Sequence, residues 1–189
     1  MAHIMERYFT NTRDVDLTDR LCESLLHTII KSGATVMRAP CDYEARANLM
    51  WASTLAHNDL LSCGRTGDWS SHRMGHQLSA FYGAAHGASL SVMFPAWMKY
   101  VYKHDIPRFC QFASRVFDIE ADVFNPEQMA LEGISALEKF FLSIGMPITL
   151  SKLGIPGDRY REMAAKAGDL GNFVPLNLND IEKIYKLAE

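Results

Sequence analysis

The chain has 189 residues, 48% of them hydrophobic, enough for one well-buried core and too few for two full domains. Its formal net charge of -3 and pI near 6.2 arise from interspersed acids and bases, which gives no field to hold nucleic acid or an anionic membrane. No apolar run reaches the ~18 residues a membrane helix needs, and His3, Glu6 and Arg7 fall where a signal peptide would be apolar. Cys22, Cys41, Cys63 and Cys110 lack CxxC spacing, so they read as reduced, mostly buried side chains of a cytoplasmic protein.

MAHIMERYF has helical character from its first residue, with Met1, Ile4, Met5 and Tyr8 on one face and no preceding cap. That pattern fits a chain cut inside a helix as well as a frayed terminus. Asp16 or Thr18 caps a helix carrying Leu21, Leu25, Ile29 and Ile30 and ending near Gly33, after which Pro40 blocks continuation. Asp42 caps a second long helix with Ala45, Leu49, Ala52, Leu55 and Ala56 on one face, stopping near Cys63-Gly64. GRTGDWSSH is a turn into HRMGHQLSAFYGAAHG, with Asp68 or Ser70 as cap and Gly83 closing the helix.

The next helix, His86 to Tyr102, contains Pro95, which is expected to kink or split it. FCQFASRVF follows Pro107, and MALEGISALEKFFLSIG follows Asn125-Pro126-Glu127 and ends at Gly145. GMPITLSKLGIPGD is a connector with a short turn, followed by small helices at 158–167 and from Asp180 to Leu187. No segment shows strand-like alternation, so the prediction is a single all-α, multi-helix domain over residues 1–189.

The histidines carry the chemistry. Imidazole suits zinc, iron and nickel, and on a straight helix His72 and His76 are four apart on one face, a workable chelating pair. Two half-exposed surface histidines explain such a pair equally simply. His86 lies among small residues, Gly83 to Ala85 and Gly87 to Ser89, which leave room for a ligand or for a close helix crossing. On a straight helix His86 would be roughly 20 Å from His72. A shared metal therefore requires a bend, at Gly75 or Gly83. His27 and His57 read as surface or core-edge side chains, and His104 sits in a polar turn.

RANLMWASTLAHN and GDWSSHRMGHQLSAFYGAAHGASLSVMFPAW, continued by FASRVFDI and LEKFFLSIGMPITLSKLGI, resemble the C-terminal helical domain of the iron-containing alcohol dehydrogenase family, in its butanol dehydrogenase and aldehyde reductase branch. The most specific part is H-x3-H-x9-H-G, matched by His72, His76, His86 and Gly87. The resemblance implies a dehydroquinate synthase-like bundle and a metal held by one Asp and three His, the first two from a D-x3-H pair. MAHIMERYF is similar to the remainder of that helix, which makes His3, His72 and His86 the implied metal ligands. The Asp would fall just before Met1, a departure from the family pattern.

His76 is implied to lie near the metal and the nicotinamide, as the catalytic proton carrier, rather than to bind the ion. The implied activity is NAD(P)-dependent interconversion of primary alcohols and aldehydes, with Fe2+, Zn2+ or Ni2+ as Lewis acid. Family members also have an N-terminal α/β domain that binds NAD(P)H, and no strand, Gly-rich loop and helix succession here matches it. The expectation is therefore a metal-binding fragment with little activity of its own and weakened metal affinity, in a protein that forms a homodimer. The alternative is a non-catalytic helical interaction module, or a subunit pairing with a separate nucleotide-binding chain. A helical metal-dependent hydrolase is disfavoured, because no HxxxH is followed by acids that supply a base and further ligands.

Overall fold

The computed structural model describes residues 1–189, which form nine α-helices, three single 3₁₀ turns and no strand beyond one isolated bridge between Leu170 and Leu176. The helices are α1 (Ala2–Tyr8), α2 (Asp16–Arg38), α3 (Tyr43–His57), α4 (Ser70–Tyr82), α5 (His86–Val101), α6 (Ile106–Phe117), α7 (Pro126–Ser143), α8 (Tyr160–Ala167) and α9 (Leu178–Leu187). The all-α expectation holds. Consecutive helices pack in pairs, α2 on α3, α4 on α5, α6 on α7 and α8 on α9, as short connections favour. No helix is long and apolar enough to cross a membrane.

Two features of the core decide where the chemistry sits. Helix α5 is buried from Ser89 to Met98 without a break, so it runs through the centre of the bundle. Pro95 lies inside it, and of the two expected outcomes, a kink or a split, the split does not occur: one amide donor is lost, and packing on every side holds the rest of the helix. The second feature is Phe9, directly after α1. Its ring stands 4.7 Å from Phe109, 5.4 Å from Phe112 and 5.6 Å from Trp97 between centroids. That aromatic cluster anchors the end of α1 and thereby fixes the direction in which His3 and Glu6 project.

Several boundaries differ from those read in the sequence. Helix α2 continues through Gly33 to Arg38, because the ring of Phe140 packs 3.5 Å from where a Gly33 Cβ would lie and the helix stops only ahead of Pro40. Its buried residues include Cys22 and Leu26, whereas Leu21 is exposed, so the core-facing stripe is rotated from the predicted one. Helix α3 begins at its predicted cap, Asp42, which accepts from the Ala45 amide at 2.8 Å. It ends at His57 rather than Cys63-Gly64, because Asp59 turns left-handed (φ 64°) into a 3₁₀ turn. Of the four cysteines only Cys22 is buried; Cys41 and Cys63 are exposed and Cys110 is half-buried, a correction to the buried reading.

Candidate functional site

The histidines of α1, α4 and α5 meet at one end of the bundle. Helix α4 runs unbroken through Gly75, and the required bend falls at Gly83, whose left-handed backbone (φ 68°) ends α4 with its N–H donated to Ser79 O at 2.9 Å. Three residues later His86 opens α5, so the chain doubles back beside His72 and His76. Ring centroids lie 5.5 Å apart for His72 and His86, 5.3 Å for His76 and His86, and 6.3 Å for His72 and His76. His3, from the first turn of α1, stands 4.5 Å from His72. His3, His72, His76 and His86, on three elements, thus share one corner. His27 and His104 lie outside it, His27 near Asp118 and His104 bonded to Asn11.

Glu6, Arg7, His57 and Trp69 also belong to this corner, and sequence reasoning missed them as site residues. His57, at the end of α3, packs against His3 with centroids 4.1 Å apart and planes tilted by 47°, and its Nδ1 is 2.7 Å from Ser53 O. Arg7 ties α1 to the end of α3, donating to Ser62 Oγ, Ala56 O and Asp59 Oδ1 while its guanidinium lies 4.9 Å above the Trp69 ring. Trp69 has left-handed backbone (φ 69°), strained for a residue with a side chain. Its indole is 5.2 Å from His72 and 6.0 Å from His3. The one available signal was the H-x2-E spacing of His3 and Glu6, which puts both on neighbouring faces of α1.

Glu6 is fully buried, and the first turn of α4 is built on it. Its Oε2 accepts from the Trp69 amide at 2.7 Å, its Oε1 from the His72 amide at 2.9 Å, and His72 Nδ1 lies 2.8 Å from Oε1. Burial and the nearby Asp68 push its carboxyl up to about 8, against the two backbone amides, which pull it down. Burial pushes His72 down to about 4, reinforced by His76; it pushes His3 down to about 4, reinforced by His72 and His57. His86 is lowered by the same cause. These three rings are therefore neutral at pH 7, the state in which an imidazole offers a lone pair.

The donor chemistry fits a borderline divalent cation in one decisive respect. His72 Nε2 is a buried nitrogen with no hydrogen-bond partner, while its other ring nitrogen is held by a carboxylate. That is the arrangement of a metal-binding histidine with a carboxylate behind it. The rings converge without being arranged as a ligand set: no group of three or more His, Cys, Asp or Glu side chains is placed to hold a metal ion. Beside them lies an apolar cleft of about 420 Å³, bordered by His3 and His86 and lined by Ile29, Leu90, Phe140 and Met146.

A family model described as "Fe-containing alcohol dehydrogenase family, C-terminal" matches residues 1–188. The chain is 39% identical to NADH-dependent butanol dehydrogenase B of Clostridium acetobutylicum, over 98% of this chain and 49% of that protein. It is 32% identical to the NADPH-dependent aldehyde reductase YqhD of Escherichia coli, over 99% of this chain and 49% of that one. Among solved structures, NADH-dependent butanol dehydrogenase A of Thermotoga maritima superposes with a TM-score of 0.92 at 36% identity, covering 98% of this chain and 49% of that chain. The E. coli aldehyde reductase superposes with a TM-score of 0.93 at 31% identity, over 99% of this chain and 50% of that one. The chain thus spans about half the length of the curated relatives it matches.

Proposed function

We propose, because this chain belongs to the iron-containing alcohol dehydrogenase family, that residues 1–189 are the metal- and substrate-binding half of an NAD(P)-dependent enzyme interconverting primary alcohols and aldehydes. The observation that carries the reading is the convergence of four histidines around a buried, unpartnered His72 Nε2. His3, His72 and His86 would hold the ion. Two imidazoles bound to one ion at ~2.1 Å in a tetrahedral arrangement have ring centroids about 5 Å apart. The His3–His72 separation of 4.5 Å and the His72–His86 separation of 5.5 Å lie on either side of that spacing; His72–His76 at 6.3 Å exceeds it, and His76–His86 at 5.3 Å meets it but as stacked rings, 28° between planes. Fe2+ is the family-level expectation, and Zn2+ or Ni2+ suits the same donors.

Bound there, a divalent cation supplies a Lewis acid for the substrate oxygen, which lowers an alcohol's pKa and polarises an aldehyde. The residues do the rest. His76, exposed and 5.3 Å from His86 between ring centroids, takes the hydroxyl proton in oxidation and returns it in reduction. Trp69 walls one side of the imidazole cluster and limits water there. The apolar cleft bordered by His3 and His86 takes the hydrocarbon part of a small alcohol. The hydride acceptor is a nicotinamide, held in this reading mainly by a separate α/β unit, so residues 1–189 alone are expected to show little or no turnover of butyraldehyde.

Metal analysis tests the reading. The purified chain loaded with Fe2+, Zn2+ or Co2+ is expected to retain an ion in a 1:1 ratio, and His72→Ala and His86→Ala are expected to lose it. Unchanged metal content in both variants ends the metal-site assignment.

A further inference from the structure

Glu6 is more than a convenient acceptor at the start of α4. The amides of Trp69 and His72 are obligatory donors, so both carboxylate oxygens already act as acceptors at 2.7 and 2.9 Å. His72 Nδ1, 2.8 Å from one of them, makes a third contact, and three donors on one ionised group offset the burial that favours its neutral form; a protonated Glu6 would instead donate to Nδ1 and leave His72 as Nε2–H. We propose that Glu6 is a positioning residue: it holds His72 as the Nδ1–H tautomer, leaving Nε2 free beside the His3 and His86 rings, and with its second oxygen it holds Trp69 against the same cluster.

The loop leading into α4 shows how tightly the arrangement is determined. Asp68 N–H donates to Glu6 O at 2.8 Å, so backbone as well as side chain of Glu6 pins the loop to α1. A Cβ on Gly67 would come within 3.0 Å of both Glu6 O and Trp69 Nε1, so no side chain larger than hydrogen fits under the indole without a shift. Asp68 then accepts from the Ser70 amide with one oxygen and from the Phe173 amide with the other. Trp69 is left as the residue that absorbs the strain, in left-handed backbone, and the Glu6 oxygen on its amide holds it there. One carboxylate therefore couples two things that a simple helix cap would not: the face that His72 presents and the place of the aromatic wall. The inference rests on the metal-site reading for its consequence, not for its geometry.

The test starts with the unaltered 189-residue chain, without metal. Long-range 1H–15N spectra of 15N-histidine-labelled protein report each ring's tautomer; His72 is expected as Nδ1–H, and the Nε2–H form would overturn the proposal whatever any variant does. Glu6→Gln comes next, because an amide offers one acceptor and one donor and can satisfy His72 or Trp69 but not both. The expected result is a ~10–100-fold loss of Co2+ affinity, the range for outer partners of metal-bound histidines, together with a changed His72 tautomer or a shifted Trp69 fluorescence. A lower melting temperature with tautomer, fluorescence and Co2+ affinity unchanged would reduce Glu6 to a helix cap and sink the idea. If the unaltered chain binds no Co2+ yet shows the predicted tautomer and its loss in Glu6→Gln, the positioning role stands and the metal-site reading falls.

Discussion

Helix α1 borders two buried polar clusters, and they are built on opposite principles. On the side of Tyr8, Asp19 lies 2.8 Å from Arg65, pairs with Arg108 and accepts from Gln111, while Glu23 accepts from Tyr8 and pairs with Arg115 at 3.2 Å. Each acid there has an arginine at contact distance, and the cluster joins α2, α6 and the loop before α4. On the side of His3 and Glu6 one acid, Glu6, with Asp68 nearby, stands behind a group of imidazoles, and a buried ring nitrogen is left without a partner. Ionic pairing serves to locate helices: Arg65 Nε and Asp19 Oδ1 also lack a hydrogen-bond partner in the Asp19 cluster, but opposite charges at contact distance compensate them. The imidazole cluster keeps capacity unspent, at the cost of local strain at Trp69, which is the usual mark of a site built to receive something.

The sharpest way to break that distinction is to remove one partner from each cluster. Asp19→Ala leaves Arg65 and Arg108 buried without their shared acid, and should destabilise the chain by about 3–5 kcal/mol in urea unfolding, with Co2+ affinity of the folded protein unchanged. A loss below ~1 kcal/mol would mean that Asp19 does not hold the bundle together. His72→Ala should do the reverse: it should cost more Co2+ affinity than the ~10–100-fold lost with an outer partner, while stability changes far less than in Asp19→Ala. His86→Ala should follow His72→Ala, and His76→Ala should keep the ion. Retained binding in His86→Ala with loss in His76→Ala, read by Co2+ absorbance, would exchange their roles.

Tyr8→Phe sharpens the ionic side at smaller scale. Its hydroxyl donates to Glu23 at 2.9 Å and accepts from Gln111 at 3.0 Å, so its removal should cost about 1.5 kcal/mol in thermal unfolding, because Arg115 and Gln111 still satisfy Glu23. A cost near that of Asp19→Ala would show that the cluster fails as a unit, rather than bond by bond.

The two clusters were not equally legible in the sequence. Helical period and caps gave the bundle, and H-x3-H-x9-H-G gave His72, His76 and His86 with a bend at one of two glycines. Periodicity could not choose between Gly75 and Gly83; the chain does, because only Gly83 takes a left-handed backbone while Gly75 stays helical under Ser89 and Leu90. The His72/His76 chelating pair that spacing favoured is the most separated of the pairs on this stretch, since both rings point along one straight helix while His86 returns from the next. Trp69 and the whole Asp19 network were invisible, and Glu6 had only its H-x2-E spacing from His3, because each depends on contacts between residues tens of positions apart. His3 entered through resemblance alone, and the fold brings its ring 4.5 Å from that of His72.

His57 is where the smallest effect decides the most. Its ring is exposed, packs against His3 at 4.1 Å with a 47° tilt, and has Nδ1 engaged by Ser53 O, so Nε2 carries a free lone pair on the rim of the cluster. Two rings on one tetrahedral ion need centroids about 5 Å apart, and His3 and His57 are closer than that, which fits a direct tilted ring contact better than shared ligation. His57→Ala should therefore change stability by no more than ~0.5 kcal/mol, as for an ordinary surface substitution, and leave the metal stoichiometry as it was. Should Co2+ be lost in His57→Ala as in His72→Ala, the ion would sit between α1 and the end of α3. The open side of the cluster would then face the α3 surface rather than the apolar cleft bordered by His86.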